Sequence, residues 1–381
     1  MPYHIKFERP PMGVALSSGE SGEEVAVAYR EFTSSEDGDI FISRLESFPS
    51  GVLDLLNVDQ VIKPSTVDHI VVLIKSDGSA DVYINELEII GRARVRRSVK
   101  KGDPVFDGDI VDFQEITFEG LDIPDDVAVM VLFSQGWRKG LFFDFGPILP
   151  TPVKRDFSLF RVLGGYYSYL AFQQYFKITD GEWDSLLASG WFPFVGLESN
   201  TLKSLIAYVR QGCDPDQLLV DIASSIKERI EPLKAVWGAQ DLLQPHLDLF
   251  SCALERFDNE DYISATAILY PRIEGLLRGM QATSGGTSFK QDKLVGAPSR
   301  IASGHVHQYS RLLPDKFQRF LESVYFASFT PENVTSLSRH TVSHGVAPAE
   351  LYSLKAAVLG ILIVEQLCFH LPPRPSTDKG T

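Results

Sequence analysis

The sequence predicts a multidomain α+β protein, with a β-rich region first and helices after it. Three observations carry this. Short β-branched and aromatic runs separated by turn residues fill positions 1 to about 150. The apolar period becomes helical from about 155. The length, 381 residues, exceeds what a single hydrophobic core usually spans.

Taken in order, Val25-Ala-Val-Ala-Tyr29, Ile40-Phe-Ile42 and His69-Ile-Val-Val-Leu-Ile74 read as strands. Turn material bounds them at Ser34-Ser-Glu-Asp-Gly38 and Lys75-Ser-Asp-Gly78. Further strands are expected at Ala80 to Ile84, Glu88 to Val95, Ile110 to Phe118 and Val127 to Phe133. Many short strands at this spacing point to an antiparallel sandwich or an open barrel over residues 1–150. The prolines that end the segment Gln135 to Pro152 mark the boundary. Residues 151–238 read as a helical connector, and 239–372 as an all-helical domain. In the latter, helices are expected at Leu242 to Arg256, Tyr262 to Met280, Asp315 to Ala327 and Ala349 to Leu371, with a Gly/Ser-rich loop from Thr283 to Ser288. Pro372-Pro373 stop the last helix, and a disordered tail is expected over 373–381.

Charge and cysteine content narrow the function classes. The net charge of -14 gives no global attraction to nucleic acid, so RNA would have to be met by a local patch. Cys213, Cys252 and Cys368 lie far apart, without Cys-x-x-Cys or zinc spacing, so no metal site is expected. A sparse, odd set fits a reducing compartment. The N-terminal residues carry no apolar signal-peptide core, and the stretch Ala356 to Leu371 is broken by Gly360, Glu365 and Gln366. The expected location is the cytoplasm, away from membranes.

The segment Ser338-Arg-His-Thr-Val-Ser-His-Gly345 carries the strongest chemical signal. Arg339 and His344 are five residues apart, a rotation of about 140° beyond one helical turn, which leaves them loosely on one side. Arginine is permanently charged and grips two phosphate oxygens at once. Histidine takes or gives a proton near neutral pH. Such a pair can cleave RNA without a metal, because the 2′-hydroxyl is an internal nucleophile. The competing account is a surface arginine and a C-terminal histidine that suits the helix dipole. Gly345 suits a helix terminus with positive φ.

The surroundings of that segment resemble the HEPN superfamily over residues 242–371. The resemblance rests on Ala265 to Arg278, which contains Ile273-Glu-Gly-Leu-Leu-Arg278, the loop, a third helix, then Arg339-His-x-x-x-His344-Gly345 before an apolar last helix. Many members are RNases of toxin, antiphage-defence and abortive-infection systems. The resemblance implies a helical bundle that dimerises with two motifs facing one cleft, Arg339 and His344 as the catalytic pair, and no cofactor. The family usually has Asn after the Arg, with His and Asp also seen, so His340 is either structural or a second acid/base. Glu274 matches a polar position lining the cleft. It either orients Arg339 or His340, or pairs with Arg278 at i+4 on an exposed face. The implied partners are an RNA substrate, a second copy of the chain, and a trigger or inhibitor met by the N-terminal region. The alternative is an inactive HEPN-like dimerisation module carrying a protein- or nucleic-acid-binding sheet.

Four further features bear on binding. As a strand, Gly91 to Lys101 would place Arg92, Arg94 and Arg96 on one face, either gripping an RNA backbone or forming a solvated or charge-protected edge. Trp137 to Pro147 is aromatic-dense and reads as core packing in preference to base stacking. His305 and His307 suggest a metal pair but have no carboxylate or cysteine nearby in sequence, which assigns them to a loop. Gly164-Gly165 and Gly285-Gly286 lack the surroundings of a phosphate loop, so no nucleotide cofactor is expected.

Overall fold

A computed structural model describes residues 1–56, 62–330 and 334–373. All but the first residue of the expected tail therefore lies outside the described residues. The chain divides into two compact units, residues 1–93 with 113–173, and 94–112 with 174–381. An antiparallel sheet dominates the first and helices the second, so the α+β class holds. The segment expected as a connector is divided between them, 151–173 going with the sheet and 174–238 with the later helices.

The strands are β1 Tyr3–Lys6, β2 Val14–Ala15, β3 Val27–Ala28, β4 Arg30–Ser34, β5 His69–Ile74, β6 Ser79–Ile84, β7 Ile89–Val95, β8 Ile110–Phe118, β9 Ala128–Gln135 and β10 Arg138–Asp144. Six of them form one sheet in the order β1-β6-β5-β9-β10-β4, each pair antiparallel. Hairpins set its register. Gly78 takes a φ of 83° in the β5–β6 turn and Gly136 a φ of 61° in the β9–β10 turn, values open to glycine at little cost. The pairs β2–β3 and β7–β8 are separate two-stranded sheets.

The expected sandwich or barrel is not what forms. Helices cover the sheet instead. β5 is buried along its whole length, where a strand with one wet face would alternate. On one face α1 (Asp39–Ser47) and α2 (Pro49–Asp54) bring Phe41, Val52 and Leu53 against Ile70, Val72, Met130, Leu132 and Phe143. On the other lies α3 (Leu159–Ala171), whose Tyr166 stacks on Phe32 with ring centres 3.9 Å apart. Within α3, Gly164 passes so close to β8 that an added Cβ would sit 2.8 Å from the Glu115 Cα. Ile40-Phe-Ile42, expected as a strand, belongs to α1. Its partners come at helical spacing, Phe41 with Leu45 and Phe48, and all three pack into the same core.

The short helix α4 Gln173–Phe176 spans the boundary, and the second unit holds α5 Asp180–Ala188, α6 Ser199–Arg210, α7 Leu219–Glu228, α8 Ile230–Gly238, α9 Leu247–Asp258, α10 Tyr262–Thr283, α11 Gln291–Val295, α12 Ala297–Ser303, α13 Pro314–Phe320, α14 Arg339–Ser343 and α15 Leu354–His370. α15 is the central rod, buried from Ala356 through His370. Such all-round burial follows from an apolar surface on every side of the helix. α10 begins at Asp261, whose side chain accepts from the Ser264 amide, and packs on both α9 and α15. Among the described residues, no helix is long and apolar enough to cross a membrane.

Candidate functional site

The short helix α14 carries the Arg-His-x-x-x-His segment and is fixed at both ends. At its start Ser338 and Thr341 cap each other, each side chain accepting from the other's amide at 3.3 and 2.9 Å. At its end Gly345 turns the chain with a φ of 66°. The amides of Gly345 and Val346 return to the carbonyls of Val342 and Thr341 at 3.2 and 3.1 Å, a Schellman closure. A five-residue helix has little stability of its own, so these caps and its packing on α10 set where its side chains point.

The structure brings Glu274, Arg339, His340 and His344 together. Glu274 lies on α10 and is buried. One of its oxygens accepts from Arg278 Nε at 2.9 Å, the i+4 pair, and the other meets Arg339 Nε as an ion pair. Glu274 thus makes the expected i+4 pair with Arg278, but from a buried position and not on an exposed face, and it meets Arg339 as well. Next along α14, His340 has its Nδ1 3.4 Å from Arg339 Nη1 and its Nε2 3.0 Å from Gln291 Oε1. Burial, with the neighbouring Arg339 charge, pushes the His340 pKa down from its usual value. His344 is exposed, and its ring lies 6.3 Å from that of His340 at an interplanar angle of 19°. Phe326 and Phe329 close the apolar side, at 5.8 Å from the His340 ring and 6.0 Å from the His344 ring. The cluster combines a held guanidinium, a partly buried imidazole and an open imidazole, which suits anion binding and proton transfer.

Gln291 is the member that the sequence did not single out. It begins α11, after the loop, and is 49 positions from His340. A lone Gln at the end of a polar loop gives no signal of its own.

The arginine stripe divides. Arg92 is exposed and pairs with Glu115 at 3.3 Å. Arg94 and Arg96 turn inward within the helical unit. Arg94 donates to the carbonyls of Phe369 and Cys368, and its guanidinium lies 5.2 Å from the Phe369 ring centre. Arg96 donates to the carbonyls of Leu197 and Gly196 at 2.9 and 3.3 Å. Two of the three side chains thus close backbone acceptors at the ends of other segments and are no open phosphate surface. His305 and His307 lie in a loop, but a carboxylate does reach His307. His307 Nε2 is 3.9 Å from Oδ1 of the fully buried Asp112, a residue 195 positions earlier by numbering. Burial raises the Asp112 pKa, and Ser310 donates to its other oxygen. In the Trp137 to Pro147 segment, Phe142, Phe143 and Phe145 are core residues, while Trp137 is exposed with Arg138 5.0 Å from its ring centre.

No protein-family profile, curated protein or solved structure matches the chain.

Proposed function

We propose that the Arg339–His344 segment is a metal-independent endoribonuclease site of the HEPN kind, completed by a second copy of the chain across a dimer interface. One observation carries this. Arg339 is oriented by the buried Glu274, next to the exposed His344 on a helix capped at both ends. An imidazole takes the proton of the RNA 2′-hydroxyl, and the 2′-oxygen attacks the adjacent phosphorus. The bond from phosphorus to the 5′-oxygen breaks, and that oxygen takes a proton from the imidazolium of the second copy. Arg339 neutralises charge building on the phosphoryl oxygens. The products are a 2′,3′-cyclic phosphate and a 5′-hydroxyl. The sheet unit would recognise a trigger or inhibitor, and the biological role would be that of a cytoplasmic toxin or antiphage-defence effector, by analogy with the family.

A second reading has its own support. Arg339 already has a carboxylate partner, so the same contacts serve as an ion-pair clasp between α10 and α14 in a non-catalytic dimerisation module. Incubation of wild type, His344→Ala and Arg339→Ala with total RNA in EDTA separates the two. The RNase reading expects cleavage by wild type and a loss of about 10²-fold or more in each variant. Equal RNA turnover by wild type and both variants, or a requirement for added metal, would sink it.

A further inference from the structure

His340 has both ring nitrogens engaged, and the chemistry of its neighbours fixes which one carries the proton. A guanidinium donates and never accepts. Arg339 Nη1 faces His340 Nδ1 at 3.4 Å, so Nδ1 is the acceptor. A neutral imidazole with an accepting Nδ1 carries its hydrogen on Nε2. That hydrogen points at Gln291 Oε1, 3.0 Å away. Protonation of Nδ1 would set an N–H against the guanidinium. The charged and titratable groups facing the ring are Arg339 and His344 from its own helix and Glu274 from α10, with Arg278 on the far side of that carboxylate.

From this geometry we infer that His340 is a positioning residue, held by Gln291 as a neutral Nε2–H imidazole that grips Arg339, and that proton transfer falls to His344. The catalytic half of this assignment rests on the RNA-cleaving site proposed above. The tautomer does not. Arg339 is then held from two sides, Nε by Glu274 and Nη1 by His340. Among the described residues no hydrogen bond engages its Nη2, which keeps donors for a phosphate oxygen. Burial and the Arg339 charge lower the His340 pKa, as a ring kept neutral requires. No nitrogen of His340 is left to take a proton from a ribose hydroxyl, whereas His344 is open to solvent.

The test uses the full chain and two readouts. Long-range 1H–15N correlation of the histidine rings, with the His340 signals assigned by their loss in His340→Asn, should show the Nε2-protonated tautomer at pH 7. An Nδ1-protonated ring or an imidazolium at that pH overturns the assignment. In RNA cleavage, His340→Asn keeps an acceptor where Nδ1 stood but cannot shuttle a proton. It should stay within about threefold of wild type, while His340→Leu, which frees the guanidinium, should lose about 10²-fold in kcat. Asn losing as much as Leu would make His340 an acid or base and overturn the proposal. If wild-type protein leaves RNA intact, the RNA-cleaving reading fails, and the ring tautomer alone decides the lock.

Discussion

Glu274 and Glu365 are both helix carboxylates, 6% and 2% exposed, and both face guanidinium groups of the helical unit. Their settings differ. Glu365 on α15 takes one partner with both oxygens, Arg229 Nη1 at 2.8 Å and Nη2 at 3.2 Å. Arg229 Nη2 also donates to the Gly196 carbonyl at 2.9 Å, and a Cβ added at Gly196 would overlap the Glu365 carboxylate. Glu274 instead splits its oxygens between Arg278 and Arg339, whose side chains are 48% and 24% exposed, with two histidines alongside. A two-pronged pair with a single partner, walled in by backbone, has nothing to exchange. On the RNase reading proposed above, a carboxylate shared between two arginines that reach solvent yields one of them to an incoming phosphate. The same pair of residue types thus serves as scaffold in one place and, on that reading, as a poised site in the other.

This contrast can be broken by stability measurements. Glu365→Ala strands the Arg229 charge, and urea denaturation should show a loss of about 3–5 kcal/mol. Next in size is a pH effect from the same sealed helix. His370 is wholly buried, and burial pushes its pKa down to about 4. In the unfolded chain the ring takes a proton near pH 6.5, so the unfolded state binds more protons between these values. Stability from this group is therefore complete above pH 6.5 and falls as pH drops towards 4, by about 3 kcal/mol. His370→Phe should flatten the stability-against-pH curve over that window, and an unchanged slope would contradict a sealed α15. Glu274→Ala should cost about 1–3 kcal/mol, since both arginines can turn to water. If it equals Glu365→Ala, the distinction between scaffold and site fails. Smallest of all, Arg278→Ala should change stability by less than about 1 kcal/mol in the same assay, as expected of a half-exposed i,i+4 pair.

Much of this was legible from residue order, and the exceptions have physical causes. The continuous run His69 to Ile74 and the apolar last helix were readable because burial on all sides demands apolar residues throughout. Val27, Ala80 to Ile84 and Ala128 to Phe133 also fell in strands where turn residues bracketed them. Ile40-Phe-Ile42 misled, because three β-branched or aromatic residues outweighed the longer Phe41, Leu45, Phe48 period. The expectation of a sandwich or barrel rested on the many short strands at regular spacing, and it left out the helices α1, α2 and α3 that cover the sheet. At the site, Arg339, His340 and His344 stand close in sequence and could be found together. Glu274 was reached through the family resemblance, but Gln291 and the inward turn of Arg94 and Arg96 were not, because they depend on which side chains and backbone carbonyls end up nearby.

Arg94 bonds to the Phe369 carbonyl across 275 positions of chain. A ribosome releases the arginine long before the last helix exists. Until then its guanidinium, together with that of Arg96, has to stay in water or find temporary company. Closure of the helical unit by these arginines therefore waits until the chain through Phe369 has been made, and a fragment starting at residue 174 would be made without them.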